Sequence, residues 1–165
     1  MIANFVILAL VTLERLAELW LSSRNTNKLL AQGAAEHARG HYPLIVALHG
    51  AWLALLWWLA PWRPVRIVFL AMFLVIELAR AWVLTALGER WTTRIITLPH
   101  APLVTRGPYR WLRHPNYAVV VAEIAILPLV FGLWQVALVF TLLNAALLSV
   151  RIREEDRALS QAQRG

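Results

Sequence analysis

The sequence contains no cysteine, which removes a disulfide framework, a thiolate nucleophile and a cysteine-based metal site from consideration. Acidic residues are scarce as well: nine Asp and Glu stand against sixteen Lys and Arg, a formal net charge of +7. Charged residues make up only 15% of the chain, whereas 60% is hydrophobic and nine residues are Trp, which excludes a soluble domain of ordinary composition. A basic excess can mark a nucleic-acid partner, but here most of it lies in short segments beside apolar stretches. In that position it reports membrane orientation and contact with anionic head groups, so the lipid bilayer is the expected partner and nucleic acid is not. No internal repeat or low-complexity tract is present.

The 165 residues therefore read as a small all-α integral membrane protein with about five transmembrane helices. Residues 2–21 can span, because roughly 20 residues at about 1.5 Å each cross the hydrocarbon core. Their front lacks Lys and Arg, no small-residue cleavage site follows, and Glu14, Arg15 and Glu18 interrupt the second half, so the segment is expected to be retained as a span. Residues 22–41 are polar, broken by Gly33 and Gly40, and read as a short surface helix plus turn. Further spans are expected at 42–60, 65–87, 116–131 and 134–150, with a long polar connection at 88–113 and a charged C-terminal helix at 151–165. Five crossings put Arg24, Lys28, Arg39, Arg90, Arg94, Arg106, Arg110, Arg113, Arg151, Arg153, Arg157 and Arg164 on one side, against Arg63 and Arg66 on the other. Positive-inside bias then makes this a multi-pass protein of the inner (plasma) membrane, with the connection and the tail in the cytoplasm. Glu14, His49, Arg80, Glu123 and Asn144 fall about six to eight residues from the cytoplasmic ends of their spans, with Glu77 slightly deeper. Charges at that depth must be paired or wet, which predicts either helix-to-helix pairing or a polar cavity open to the cytoplasm.

The chemistry concentrates in residues 106–117, RGPYRWLRHPNY. Gly107-Pro108 is a turn signal, and Pro115 keeps His114 out of the helical basin while suiting the first turn of a helix. His114 thus stands at a helix mouth, with Asn116 and Tyr117 in the first turn, where free backbone N–H groups can hold a carboxylate or phosphate. An aromatic belt with inside-positive arginines would present the same residue types. Beyond the last span, Arg151 and Glu155 are four residues apart and share a helix face, as a solvated charged face would also arrange.

Together, a GPYRWLRHPNY corner ahead of one helical hairpin and an RIREED segment just after it resemble the isoprenylcysteine carboxyl methyltransferase family, over residues 88–159. The first half, with RNTNKLLAQGAAEHARGHYPLIVALH, is similar to small bacterial members of that family. The resemblance implies one membrane methyltransferase domain over residues 1–165, a three-helix part at 1–87 and a cofactor-binding part at 88–165, that uses S-adenosylmethionine. It places Leu103, Val104 and Tyr109 around the cofactor, matches His114, Pro115, Asn116 and Tyr117 to the family's HPxY element, assigns Glu155 to the cofactor and Arg151 to the acceptor side. These roles suit the residues: a helix mouth for a carboxylate, a glutamate for an amine or ribose hydroxyls, aromatic faces for a sulfonium.

A carboxylate acceptor needs no general base. A phenol or enol gains from one, and Glu123, His114 and His100 are the candidates, Glu123 being the catalytic choice beside Arg151. Small bacterial relatives are linked to O-methylation of lipophilic products such as alkylpyrones, so the expected acceptor is a lipophilic small molecule with a carboxyl or hydroxyl oxygen, entering from the lipid. An NADPH-dependent membrane lipid reductase, a phospholipid N-methyltransferase and a non-enzymatic scaffold are the competing readings. His37 and His41 have metal-ligand spacing, but Gly40 interrupts the helix and no third ligand is evident, so no metal is expected.

Overall fold

The computed structural model of the chain describes residues 1–38, 40, 42–99 and 101–164, with side chains through Ser160. Arg39, His41, His100 and Gly165 lie outside the described residues, and with them the His37/His41 spacing and His100 as a base. Among the described residues the chain forms five α-helices: α1 Ile2–Ala31, α2 Tyr42–Leu59, α3 Ile67–Leu87, α4 Pro115–Val130 and α5 Trp134–Arg164. A two-stranded antiparallel ribbon, β1 Ala35–His37 and β2 Ile95–Thr97, pairs Ala35 with Thr97, Glu36 with Ile96 and His37 with Ile95.

Three helical stretches, Tyr42–Leu59, Ile67–Arg90 and Trp134–Ser160, are long and apolar enough to cross a membrane. Large apolar side chains cover their outer faces, such as Val75 and Leu78 on α3 and Leu138 and Leu142 on α5. Such a surface is stable against lipid, where the helix satisfies its own backbone groups. α1 carries three charges within its apolar half, and α4 is only 16 residues long.

The apolar core lies at the end of the bundle remote from the corner. Leu8 and Val11 of α1, Trp52 and Leu56 of α2, and Ile124, Leu127 and Phe131 around α4 pack together there. Asn4 ties this end, its side-chain amide donating to the Ala60 and Arg63 carbonyls at 2.7 Å each. The α4–α5 hairpin turns in three residues, with Gly132 at φ +70° and the Leu133 N–H bonded to the Pro128 carbonyl at 2.9 Å. Its tightness agrees with the sequence reading.

Two boundaries differ from that reading. The polar run after residue 21 does not form a separate surface helix, because α1 continues through it to Ala31. One face of it turns inward: Asn25 donates to the Trp91 carbonyl at 2.8 Å, Ser22 Oγ lies 2.7 Å from Thr93 Oγ1, and Leu29 is buried, while Ser23, Arg24 and Asn27 stay exposed. Polarity on that inner face marks contact with the 88–93 segment. Likewise the C-terminal helix is no separate unit, since α5 runs unbroken from Trp134 to Arg164. No Gly or Pro near Val150 stops it, Ser149 turns its hydroxyl back to the Ala146 carbonyl, and the helix face simply changes from apolar to charged.

The charges carried within the helices form one network between them. Arg80 of α3 makes a two-pronged bond to Glu123 of α4 and donates to Glu18 of α1 at 2.9 Å. Arg15 bridges Glu18 at 3.0 Å and Glu123 at 3.3 Å, and faces Glu77 at 3.9 Å. Pairing between helices is thus what the structure shows; Arg15, Glu18, Arg80 and His49 also border a chamber, but its walls are mainly apolar rather than those of the polar cavity expected.

Candidate active site

The corner is built as its residues require. Gly107 adopts φ +59° and opens a short 3-10 turn, Gly107–Arg110, where a Cβ would sit 2.9 Å from that of Ala86. Only glycine combines that backbone basin with so close an approach to α3. His114 is the N-cap of α4 at φ −129°, with Pro115 in the first turn. The His114 carbonyl accepts from the Tyr117 and Ala118 N–H groups at 3.2 and 3.3 Å. The Asn116 N–H, one residue earlier, has no acceptor among the described residues and remains free for an anionic group.

α5 returns alongside α4 and brings Arg151, Glu155 and Asp156 to this mouth. Tyr117 donates its hydroxyl hydrogen to the Glu155 carboxylate and accepts from Arg151 Nε at 2.8 Å. Arg151 also donates through Nη2 to the Thr93 carbonyl at 2.6 Å, and its guanidinium lies 5.6 Å from the Tyr117 ring centre. His114 stacks on Tyr117 at 5.5 Å, with its Nε2 3.2 Å from Asp156 Oδ1. Arg113 pairs with the same carboxylate at 3.1 Å. Two patches some forty residues apart in the chain thus form one polar cluster.

The cluster borders a cavity of about 330 Å³. Leu103, Val104, Tyr109, His114, Asn116, Tyr117, Glu155 and Arg151, all singled out from the sequence, line it. Pro115 does not; it is fully buried behind the wall and sets the start of α4. Glu123 is not a lining residue either, since it is held in the ion network by Arg80. Tyr109 sits among these residues with its phenol pKa pushed up by burial and, secondarily, by the Glu155 charge, so it stays neutral.

A second cavity of about 300 Å³ lies deeper, among α1, α2, α4 and α5. It is lined largely by apolar residues such as Leu16, Leu19, Val46 and Leu53, with His49 among them. The two chambers share Trp91, Asn116, Tyr117 and Arg151 as a common wall. Trp91 Nε1 donates to Asn116 Oδ1 at 3.3 Å, which braces that wall.

Several site residues escaped the sequence reading. Asp156 was hidden beside Glu155, although it shares the charged run REED. Thr93 and Trp91 reach the site only because α1 extends to hold the 88–93 segment, which no local spacing signals. β2 places Ile96 and Thr97 in the first cavity, and His37 Nε2 lies 2.7 Å from Thr97 Oγ1, so the ribbon braces that side.

A polar cluster at the mouth of α4 thus adjoins a second, mainly apolar chamber among the helices. The family model for the isoprenylcysteine carboxyl methyltransferase family matches residues 69–161, and the chain belongs to that family. Membership implies a membrane methyltransferase. Among similar proteins, uncharacterized protein YpbQ of Bacillus subtilis (strain 168) is 36% identical over 170 residues, covering 95% of this chain and 96% of that one. An uncharacterized protein of Haemophilus influenzae is 26% identical over 152 residues, 88% of each chain. No solved structure gives a significant match.

Proposed function

We propose that the protein transfers a methyl group from S-adenosylmethionine to a carboxyl or hydroxyl oxygen of a lipophilic acceptor. The observation that carries this reading is the common wall: two chambers of different polarity meet at Tyr117 and Arg151. The first chamber fits the cofactor by its chemistry. Glu155 offers a carboxylate for the amine or ribose hydroxyls, the free Asn116 N–H suits the cofactor's carboxylate, and Tyr109 and Tyr117 offer aromatic faces to a cation. When bound, S-adenosylmethionine supplies a methyl group on a sulfonium centre that departs with its electron pair on sulfur.

The chain's own groups then have little covalent work to do, since in-line displacement depends on alignment and exclusion of water. Arg151 is fixed through Nε and Nη2, so its guanidinium is a rigid cation at the wall. It would hold the acceptor oxygen as an anion: a carboxylate arrives ionised, and a hydroxyl stabilised by the cation gives its proton to water before its oxygen attacks. Glu123 in this reading positions α4 through Arg80 rather than moving protons. The same fixed cation argues against a quaternising amine as acceptor, since the ammonium product would be repelled.

We read the chain as one domain crossing the inner membrane five times, with the mouth cluster on the cytoplasmic side. Twelve basic residues against two outside the apolar stretches support this orientation. Calorimetric titration of the purified protein in detergent tests the cofactor: micromolar binding of S-adenosylmethionine or S-adenosylhomocysteine is expected, weakened in Glu155→Ala and His114→Ala. Binding of NADPH in its place would select a reductase.

A further inference from the structure

α3 carries a lipid-facing stripe up to the corner, and the stripe ends on two indoles. Val75, Leu78 and Trp82, spaced at i, i+3 and i+7, share one helix face and are 64%, 72% and 47% exposed. Trp82 stands five residues, about 8 Å at helical rise, before α3 ends at Leu87. The corner rests on its ring: Trp111 packs edge-on at 5.6 Å, and a Cβ on Gly107 would come within 3.3 Å of the indole nitrogen. Trp111 is itself 68% exposed. Paired indoles at the end of an apolar stripe mark the level where acyl chains give way to head groups.

Two cations at this ledge have no counter-charge. Arg110 holds its guanidinium 5.7 Å from the centre of the Trp111 ring and bonds no acceptor among the described residues. Arg106 donates Nε to the Ala86 carbonyl at 2.9 Å, one turn beyond Trp82, which fixes its side chain against α3. Its terminal nitrogens meet no partner among the described residues. Asp156 is already taken, by Arg113 at 3.1 Å and His114 at 3.2 Å. A cation in open water needs no partner, but these two are anchored on the rim of a lipid-facing stripe, where the anion at hand is a phosphate ester.

We propose that Arg106 and Arg110, with the ledge of Trp82 and Trp111, bind the head group of an anionic phospholipid whose chains lie along Leu78 and Val75. Planar guanidinium forks match phosphate oxygens, and two uncompensated cations favour a head group of net negative charge, such as phosphatidylglycerol, over a zwitterion whose ammonium they repel. None of these four site residues lines either cavity, so the bound lipid is a partner of the corner's outer surface, and the site does not depend on the methyl-transfer reading. Tyr109, between Pro108 and Arg110, lines the first cavity. One short turn therefore carries the lipid on its outer side and a wall of the polar chamber on its inner side.

Native mass spectrometry of the full-length protein in detergent, titrated with dioleoyl phosphatidylglycerol or dioleoyl phosphatidylcholine, reads the affinity of the first lipid bound. Phosphatidylglycerol is expected to bind at least about tenfold more tightly, and Arg110→Gln to lose about fivefold of that, the worth of one cation at a charged lipid surface. The double variant Arg106→Gln/Arg110→Gln should erase the preference; if it does not fold, Arg110→Glu, at an exposed position, replaces it with the same expectation. Arg63→Gln/Arg66→Gln, which removes the cations at the far end of the bundle beside Asn4 and Gly132, should leave the preference unchanged. Glycerol phosphate, which has the anion but no chains, is expected not to displace the lipid at like concentration. Equal binding of the two lipids by wild type, a preference that survives the Arg106 and Arg110 changes or is lost with Arg63 and Arg66, or displacement by glycerol phosphate overturns the proposal.

Discussion

Arg151 and Glu155, one turn apart on α5, meet through a third group: the Tyr117 hydroxyl accepts from Arg151 Nε at 2.8 Å and donates to the Glu155 carboxylate. One phenol therefore fixes the residue assigned to the acceptor and the residue assigned to the cofactor at the same time. Tyr117→Phe keeps the ring and its stacking on His114 but removes both bonds. Turnover is expected to fall by more than cofactor affinity, the latter by roughly tenfold for one charge-assisted bond. Steady-state kinetics beside calorimetry separate the two; equal loss of both would contradict the shared-wall geometry.

Arg151→Lys should behave almost as badly as Arg151→Ala. The guanidinium is held at two nitrogens, Nε on Tyr117 and Nη2 on the Thr93 carbonyl, and a lysine ammonium cannot reproduce that fork. A fall in kcat of about 100-fold or more with donor affinity within about threefold is expected. Recovery of wild-type turnover by lysine would show that only the charge matters.

The Arg80–Glu123 pair predicts a stability effect rather than a chemical one. Glu123→Ala leaves a buried guanidinium short of its main partner and is expected to cost about 3–5 kcal/mol. The double variant Arg80→Met/Glu123→Leu removes both charges and should recover most of that loss in detergent unfolding. Cofactor binding in the double variant is expected to stay near wild type; its disappearance would return Glu123 to the chemistry.

Tyr109 gives a pH signature outside the spans. Its folded-state pKa is raised, chiefly by burial, so below the unfolded value of about 10 the phenol is protonated in both states and its contribution to stability is intact. Above that value the unfolded chain releases the proton first, and stability falls as pH rises. Thermal unfolding midpoints measured across this range should drop more steeply for wild type than for Tyr109→Phe.

Gly107→Ala tests the corner as a built element. The added methyl would meet Ala86 at 2.9 Å in a backbone basin that disfavours side chains, at an expected cost of about 1–3 kcal/mol. Loss of cofactor affinity should accompany it, because the 3-10 turn carries Tyr109.

Much of the site was legible because proline and glycine write local geometry directly. Pro115 and Gly107 announced the helix mouth and the turn, and the charges of α5 announced a second patch. Tertiary partners were not legible. The run from Ser22 to Ala31 looks solvated by composition, yet its inner face holds Trp91 and Thr93 in place. The β1–β2 ribbon joins two three-residue strands sixty residues apart, too short to leave a periodic signal. His49 appeared in the sequence only as one polar residue in a layer; its fixed ring orientation depends on the Ile45 carbonyl.

The central claim is that the corner before α4 and the charged turn of α5 hold one S-adenosylmethionine. Ultraviolet crosslinking of methyl-tritiated S-adenosylmethionine to the purified protein, followed by peptide mapping, tests it most directly. Label is expected within residues 103–117 or 151–160, displaced by S-adenosylhomocysteine and not by NADPH. Label confined to other segments, or displaced by NADPH alone, would contradict the account.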